Sequence, residues 1–262
     1  MVIMHAGNGT LVNLMLMRGN IGKPGAGICP VRGHSNVQGQ RTVGITEDPK
    51  KVPVNLIEQH FGFKVPAQKG LCTVDACEGI LQGQVRGFIG LGGNFLRAIP
   101  DTSRMEPAWQ GLELNVQVAT KLNRTHLLPA RNMWLLPCLG RIEIDRQKGV
   151  AQTYTTEDST GCIHGWHGSA EPVGPHVRAE ASIVAGLAMA ALAPGNRIDW
   201  QAWCDDYSTV RTAIGTIYPQ IFHDMETRMA EPGGFHRPIA AAQREWLTPT
   251  GKAQFVTPVT LA

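Results

Sequence analysis

The first half of the chain alternates between two patterns of apolar residues. Residues 11–17 have apolar side chains at helical spacing, and the pattern stops at Gly19, a residue type that ends helices in the left-handed conformation. A second helix is predicted from Thr73, which can cap its first turn, and Asp75 is favourable in that turn. Short segments rich in apolar residues predict three buried strands, at residues 85–91, 114–119 and 133–139, with a short helix at 104–110 before the second.

This succession of helices and strands predicts an α/β fold, a partial Rossmann-like parallel sheet with flanking helices. Beyond residue 147 the pattern changes, because residues 150–178 are rich in Gly, Thr, Ser and His and show no clear period. Helices are predicted at 179–193 and 200–219, and a turn and a strand in the tail at 246–258. We therefore expect three parts: a helix and loop over residues 1–40, an α/β half-domain over 41–147, and a loop-rich and helical segment of a neighbouring domain over 148–262.

Composition excludes some classes of protein and favours others. The chain has 262 residues and a formal net charge of +3 with scattered Lys and Arg, so no nucleic-acid surface is predicted. The longest apolar run, residues 181–193, is too short to cross a bilayer, which takes about 20 residues. The six cysteines show neither zinc nor iron–sulfur spacing. Free thiols and the lack of a recognisable signal sequence favour a cytoplasmic protein.

The first candidate site is the glycine-rich segment at residues 30–39. Arg32 supplies a permanent cation with a planar fork for an anion, and His34 can exchange a proton near neutral pH. Gly33 lets a ligand approach the backbone, while Asn36 and Gln38 add donors and acceptors for a polar heterocycle. The alternative is a loop whose amide side chains satisfy only their own backbone.

Two further candidates follow predicted strands. Gly92, Gly93 and Asn94 come directly after the strand at 85–91, where backbone N–H groups can bind a phosphate. Thr120, Lys121 and Asn123 follow the next strand and place polar and cationic groups at the same sheet edge, where open α/β sheets bind ligands. A tight turn without a ligand and a solvated basic turn are the alternatives.

A His-rich stretch at residues 157–167 is the fourth candidate. Cys162, His164 and His167 suggest a metal site, but their spacing is irregular and a fourth donor is missing. We therefore predict no metal-ligating residue on this chain, and interpret Glu157, Asp158 and Ser159 as part of a polar loop that faces a cofactor.

Residues 18–39 closely resemble molybdopterin oxidoreductases, specifically the branch similar to formate dehydrogenase catalytic subunits. The resemblance continues through residues 92–94, 120–126, 136–146, 157–159 and 249–255 and so covers nearly the whole chain. It implies a cofactor, molybdenum bis(molybdopterin guanine dinucleotide), and a fold of several α/β domains. This chain would be a central fragment, whose residues 41–147 bind one pterin guanine dinucleotide and whose residues 148–262 lead into a C-terminal domain outside the chain.

The resemblance also assigns roles to residues. Arg32 looks like the arginine that holds the substrate anion beside the metal, with His34 as its catalytic partner. The residues expected to contact the cofactor are Gly33, Asn36, Gln38, Gly92, Gly93, Asn94, Thr120, Lys121, Asn123, Glu157, Asp158 and Ser159. An iron–sulfur cluster would belong to the missing N-terminal part.

The predicted function is a two-electron oxidation or reduction of a small-molecule substrate such as formate, at molybdenum or tungsten. The chain alone is expected to be inactive and poorly soluble, because its partners would be the remainder of the catalytic subunit and an unidentified electron-transfer protein. The alternative hypothesis is a truncated, non-catalytic nucleotide-binding or interaction module. An ordinary nicotinamide-dependent dehydrogenase is disfavoured because the Gly-x-Gly-x-x-Gly fingerprint is missing.

Overall fold

The computed structural model describes residues 2–31, 34–192 and 197–257 of the protein, with side chains from residue 9 onward. In those ranges the helices are α1 (Val2–Met17), α2 (Val37–Thr42), α3 (Val54–Phe61), α4 (Thr73–Leu81), α5 (Phe95–Ala98), α6 (Thr102–Gln110), α7 (Glu180–Ala191), α8 (Trp200–Asp205), α9 (Tyr207–Ile217), α10 (Pro219–Phe222) and α11 (Met225–Ala230). The strands are β1 (Gly87–Leu91), β2 (Leu114–Ala119), β3 (Met133–Pro137), β4 (Arg146–Gln147), β5 (Val150–Ala151), β6 (Tyr154–Glu157), β7 (Cys162–Trp166) and β8 (Phe235–His236).

The chain forms two compact units, and each is built from separated segments. The first unit comprises residues 1–42, 155–164 and 227–262, and the second comprises residues 43–154 and 165–226. The sequence analysis divided the chain into three parts by their expected roles in binding a cofactor, and that division stays a prediction.

The predicted α/β fold class is confirmed in the second unit. Strands β1, β2 and β3 form a parallel sheet with β2 in the centre, and Val116 of β2 pairs with Ile89 on one side and Trp134 on the other. The bounds of β2 agree with the predicted run at 114–119. Strands β1 and β3 are shorter than predicted, because the chain turns into loops at Gly92 and after Pro137.

One face of this sheet carries the hydrophobic core of the second unit. Trp109 and Leu96 are fully buried, and Phe88 of β1 packs against Trp109 with ring centroids 4.8 Å apart. Helix α4 contributes Ile80 to this core. This helix begins at Thr73 as predicted, but the capping residue is Cys72 and not Thr73.

The opposite face of the sheet is apolar, and it is exposed along the edge strands β1 and β3. Alternation along the strands places Ile89, Leu91 and Trp134 on that face, and 60%, 56% and 62% of their surfaces are accessible to solvent. Val118 in the centre of the sheet is nevertheless fully buried. Parallel sheets are normally covered on both faces, so this surface is unusual for an α/β unit.

The second half of the chain contains regular structure where no period was predicted. Residues 150–178 include β5, β6 and β7, and β7 lies between β6 and β8 in one sheet. The predicted helix at 200–219 is three helices, because Asp206 caps α9 and Pro219 begins α10. In the first half of the chain, the apolar pattern did not predict helices α2 and α3. The strand predicted in the tail is wrong for the described residues up to Thr257, which have no regular structure after Lys252.

Helix α1 agrees with the predicted segment at 11–17 and begins earlier. Gly19 ends it with φ 61°, and the N–H of Asn20 donates to the carbonyl of Met15 at 2.8 Å. None of the helices in the described ranges combines the length and the apolar character needed to cross a membrane.

Candidate functional site

The motif segment at residues 30–39 is described only in part. Arg32 and Gly33, which carry the predicted anion-binding role, lie outside the described residues. His34 is exposed. The segment then enters α2 at Val37, immediately after Asn36, whose backbone has φ 66°. Asparagine tolerates this left-handed conformation better than most residues.

The side-chain amide of Asn36 binds the backbone of β6. Its Nδ2 donates to the carbonyl oxygen of Thr155 at 3.3 Å, and its Oδ1 accepts from the N–H of Glu157 at 3.0 Å. This is the pair of contacts that a peptide group of a neighbouring strand would make. The amide predicted to face a cofactor is therefore engaged by the protein itself.

Gln38 and Glu157 are also in contact. The carboxylate of Glu157 is buried, and its Oε1 accepts from Nε2 of Gln38 at 2.5 Å and from Nε of Arg237 at 2.9 Å. The other oxygen, Oε2, is buried without a hydrogen-bond partner in the described part of the chain. Arg237 was not among the predicted site residues, because it is 80 residues from Glu157 and lies in no recognisable motif.

Asp158 shapes the turn between β6 and β7. Its Oδ1 accepts from the N–H and hydroxyl of Thr160, at 2.8 and 2.7 Å, and from the N–H of Cys162 at 3.0 Å. Burial acts to raise the pKa of Asp158, but these hydrogen bonds outweigh it and lower the pKa. Ser159 lies in the same turn and is partly buried.

The two strand-end loops predicted to share a sheet edge are joined by hydrogen bonds. Nδ2 of Asn123 donates to the carbonyl oxygen of Gly93 at 2.7 Å. Oδ1 of Asn94 accepts from the hydroxyl of Thr125 at 2.8 Å, and that hydroxyl accepts from the N–H of Leu96 at 3.1 Å. The structure thus brings together Asn94, Gly93 and Asn123 at the carboxyl ends of β1 and β2.

The space above this loop pair is open. Gly92 and Gly93 have φ 70° and 80°, and a Cβ added to either would meet no atom of the described residues within 4 Å. Thr120 and Lys121, which directly follow β2, are exposed. A ligand could therefore approach the glycine backbone closely.

His126 is a polar residue of this loop pair that the sequence analysis did not select. Only 9% of the surface of His126 is exposed, and its Nδ1 accepts from the N–H of Asn123 at 3.1 Å. The neutral ring must therefore carry its proton on Nε2, which is buried and has no partner among the described residues. Burial lowers the pKa of His126.

A cleft of 1050 Å³ lies in the first unit beside the glycine-rich part of the motif. Its walls include residues 21–29, Leu16 of α1 and Trp246. This volume lies just above the range typical of cofactor pockets, about 300–1,000 Å³.

A second cleft, of 600 Å³, lies in the second unit and is lined in part by Asp145 and Ser182. The buried carboxylate of Asp145 accepts from the hydroxyls of Tyr154 and Tyr207, at 2.7 and 2.5 Å. Burial is the main cause that raises the pKa of both tyrosines well above the usual value.

The metal alternative for the His-rich stretch gains no support from the described residues. The thiol of Cys162 donates to the carbonyl oxygen of Gly233 at 2.8 Å, and Nδ1 of His167 contacts the carbonyl oxygen of Gly168 at 2.9 Å. Across the described ranges, no group of three His, Cys, Asp or Glu side chains is placed to hold a metal ion.

Comparison with known proteins finds relatives but no matching family model. Protein YdeP of Escherichia coli (strain K12) is 49% identical over 247 residues, which are 94% of this chain and 32% of YdeP. A Mycobacterium tuberculosis (strain ATCC 25618 / H37Rv) protein named as an uncharacterized oxidoreductase is 43% identical over 248 residues, again 94% of this chain and 32% of the relative.

A more distant relative is named as a putative formate dehydrogenase. This protein, YrhE of Bacillus subtilis (strain 168), is 27% identical over 124 residues, which are 43% of this chain and 12% of YrhE. The chain spans about a third of the length of the first relatives it matches. Its sequence is therefore oxidoreductase-like, with a weaker similarity to a formate-dehydrogenase-like protein.

Proposed function

We propose that this chain is a central part of a two-electron oxidoreductase that carries molybdenum or tungsten on two molybdopterin guanine dinucleotides. The observation that supports this proposal most directly is the loop pair at the carboxyl ends of β1 and β2. There Asn123 holds Gly93 at 2.7 Å, while the space above Gly92 and Gly93 stays open. Carboxyl ends of parallel strands are where open α/β sheets bind dinucleotides.

The residues present fit one guanine dinucleotide. Backbone N–H groups at Gly93 and Asn94 suit a phosphate, and Lys121, exposed after β2, would add a cation. The donor on Nε2 of His126 has no acceptor in the described part of the chain, so a polar ligand could accept from it. The 1050 Å³ cleft beside residues 21–29 has the size for a second large cofactor group.

In this proposal the chain's own residues bind and orient the reactants. The bound metal centre would supply the redox chemistry by exchanging an electron pair with the substrate. Arg32 would hold a small anion such as formate through charge-assisted hydrogen bonds. The imidazole of His34, two residues further on and exposed, would accept or return a substrate proton.

The first experiment is metal and pterin analysis of the protein purified from its host in native form. Elemental mass spectrometry should find molybdenum or tungsten, and oxidised pterin should fluoresce at a ratio of about two per metal. A protein that carries neither metal nor pterin would overturn the proposal.

A second experiment tests the loop pair on this chain. We expect a guanine nucleotide such as GDP to bind, and Gly93→Ala to weaken it at least about tenfold because a methyl group enters the open space above the loop. Gly149→Ala is the matched control, since Gly149 has φ 82° and Gly93 has φ 80°, and neither has an atom within 4 Å of an added Cβ. Equal loss of GDP binding in both variants would mean that backbone strain and not the site is responsible.

The exposed apolar sheet face favours the second candidate function, a non-catalytic interaction module. Ile89, Leu91 and Trp134 form a surface of the kind that protein partners cover. This alternative predicts a native protein that forms a stable complex while containing neither pterin nor metal.

A further inference from the structure

We propose that Arg237 and Glu157 are positioning residues that clamp the motif segment after Arg32 onto β6. The clamp consists of Asn36, Gln38, Glu157 and Arg237, all in the first compact unit. The role of the held segment in substrate binding rests on the proposed function, whereas the clamp itself does not.

The first part of the clamp is the amide of Asn36. It spans two backbone groups of β6, the carbonyl of Thr155 and the N–H of Glu157, so rotation of the amide would break both bonds. The residue that bears it is in the left-handed conformation, which turns the chain sharply into α2. The end of the motif loop is therefore fixed in place and direction by one side chain.

The second part is electrostatic. Only 3% of the surface of Glu157 is exposed. A charged carboxylate at such a buried position needs a cation and hydrogen-bond donors beside it. Arg237 supplies the countercharge through Nε at 2.9 Å, and the N–H of Arg237 also donates to the carbonyl of Gly161 at 2.9 Å. The arginine is thus anchored at both its backbone and its side chain, and Gln38 joins the same carboxylate oxygen at 2.5 Å.

The third part is the absence of a side chain at Gly39. This glycine is buried in α2, and an added Cβ would lie 2.1 Å from Oδ1 of Asn36 and 3.1 Å from Cβ of Glu157. Its φ is not in the left-handed region, so conformational freedom is not the reason for glycine here. Glycine is required because the helix approaches the clamp too closely for any side chain.

These contacts change the roles expected of three residues. Asn36, Gln38 and Glu157 were predicted to contact a cofactor, yet most of their polar atoms bind one another or β6. We infer that they act on the chemistry through Arg32, by holding the chain that follows it. Arg237 joins them although its sequence surroundings give no sign of it.

The test is hydrogen–deuterium exchange of the chain, read by mass spectrometry, in the variant Arg237→Gln. Exchange at residues 34–42 should become at least about tenfold faster, because a buried carboxylate left alone destabilises the segments it joins. Exchange in β2 at residues 114–119, in the second unit, should not change. Arg146→Gln is the control, because the Arg146–Glu171 pair is exposed and contributes little.

Rescue separates the clamp from a general loss of structure. The double variant Glu157→Gln, Arg237→Gln removes both charges, so residues 34–42 should exchange about tenfold more slowly than in Arg237→Gln alone. If Arg237→Gln does not fold, Arg237→Lys keeps the charge and should give a smaller acceleration confined to the same residues. Any one of three results would overturn the proposal. Exchange at residues 34–42 in Arg237→Gln could be unchanged, exchange in β2 could accelerate equally, or the double variant could fail to slow the exchange at 34–42. None of these readings needs a cofactor, so failure of the proposed function leaves this test intact.

Discussion

The substitution Gly39→Ala should destabilise the protein, although alanine normally improves a helix. In a helix interior, Gly→Ala stabilises by about 0.5–1 kcal/mol, because glycine loses more backbone entropy on folding. At residue 39 the new methyl group would lie 2.1 Å from Oδ1 of Asn36, well inside contact distance. Overpacking of this kind costs about 1–3 kcal/mol.

The amide of Asn36 cannot move aside without breaking its two bonds to β6, each of which contributes about 0.5–1.5 kcal/mol. If the overpacking and the loss of both bonds act in full, the net loss in the free energy of unfolding is about 1–5.5 kcal/mol after the helix gain is subtracted. The clamp therefore reverses the usual sign of this substitution.

The assay is a urea titration of the chain, with the free energy of unfolding extrapolated to water. Gly186→Ala is the control, because Gly186 lies in α7 and an added Cβ there would meet nothing within 4 Å. That variant should be more stable than the natural sequence by about 0.5–1 kcal/mol. The reasoning is refuted if Gly39→Ala is as stable as the natural sequence or more stable.

Two further predictions concern the second compact unit. Trp134 and Ile89 expose 62% and 60% of their surfaces on one sheet face, and we expect copies of the chain to associate through that face. Trp134→Arg should therefore raise the fraction of monomer measured by size exclusion with light scattering. An unchanged distribution would mean that another surface causes association. Burial raises the pKa of all three tyrosines of the chain, Tyr154, Tyr207 and Tyr218, so the folded state favours their protonated form. Stability should therefore fall as the pH rises above about 10, and the tyrosinate absorbance at 295 nm should appear only together with unfolding; a gradual rise in a protein that is still folded would contradict this.

The elements predicted correctly are those whose cause is local. Residues 114–119 alternate apolar and polar side chains with the period of a strand and match β2, and Gly19 ends α1 where its left-handed backbone is needed. Helices α2 and α3 were missed because they are short, with six and eight residues, and each lies between loops rich in Gly and Pro. The strands β6 and β7 were missed because Thr and His interrupt the alternation that marks a strand.

In the candidate site too, features with a local cause were predicted, and contacts between distant segments were not. Sequence order alone predicted that loops after two neighbouring parallel strands share one sheet edge, and Asn123 and Gly93 do meet there. The buried Nε2 of His126 could not be predicted, because its environment depends on how the following segment folds back. For Arg32 and Gly33, which lie outside the described residues, the expected roles stay predictions.

By itself the sequence determined the α/β class, the order of the three parallel strands along the chain and the polar loops that follow two of them. These follow from chain-local physics, namely hydrophobic period, glycine conformation and the parallel direction of strands joined by helices. Only the tertiary structure decided what the motif side chains contact. Glu157 meets Arg237 across 80 residues, and Gly39 is needed because Asn36 occupies the space of its Cβ. Such contacts depend on which segments the whole fold brings together, and no local pattern in the chain records that choice.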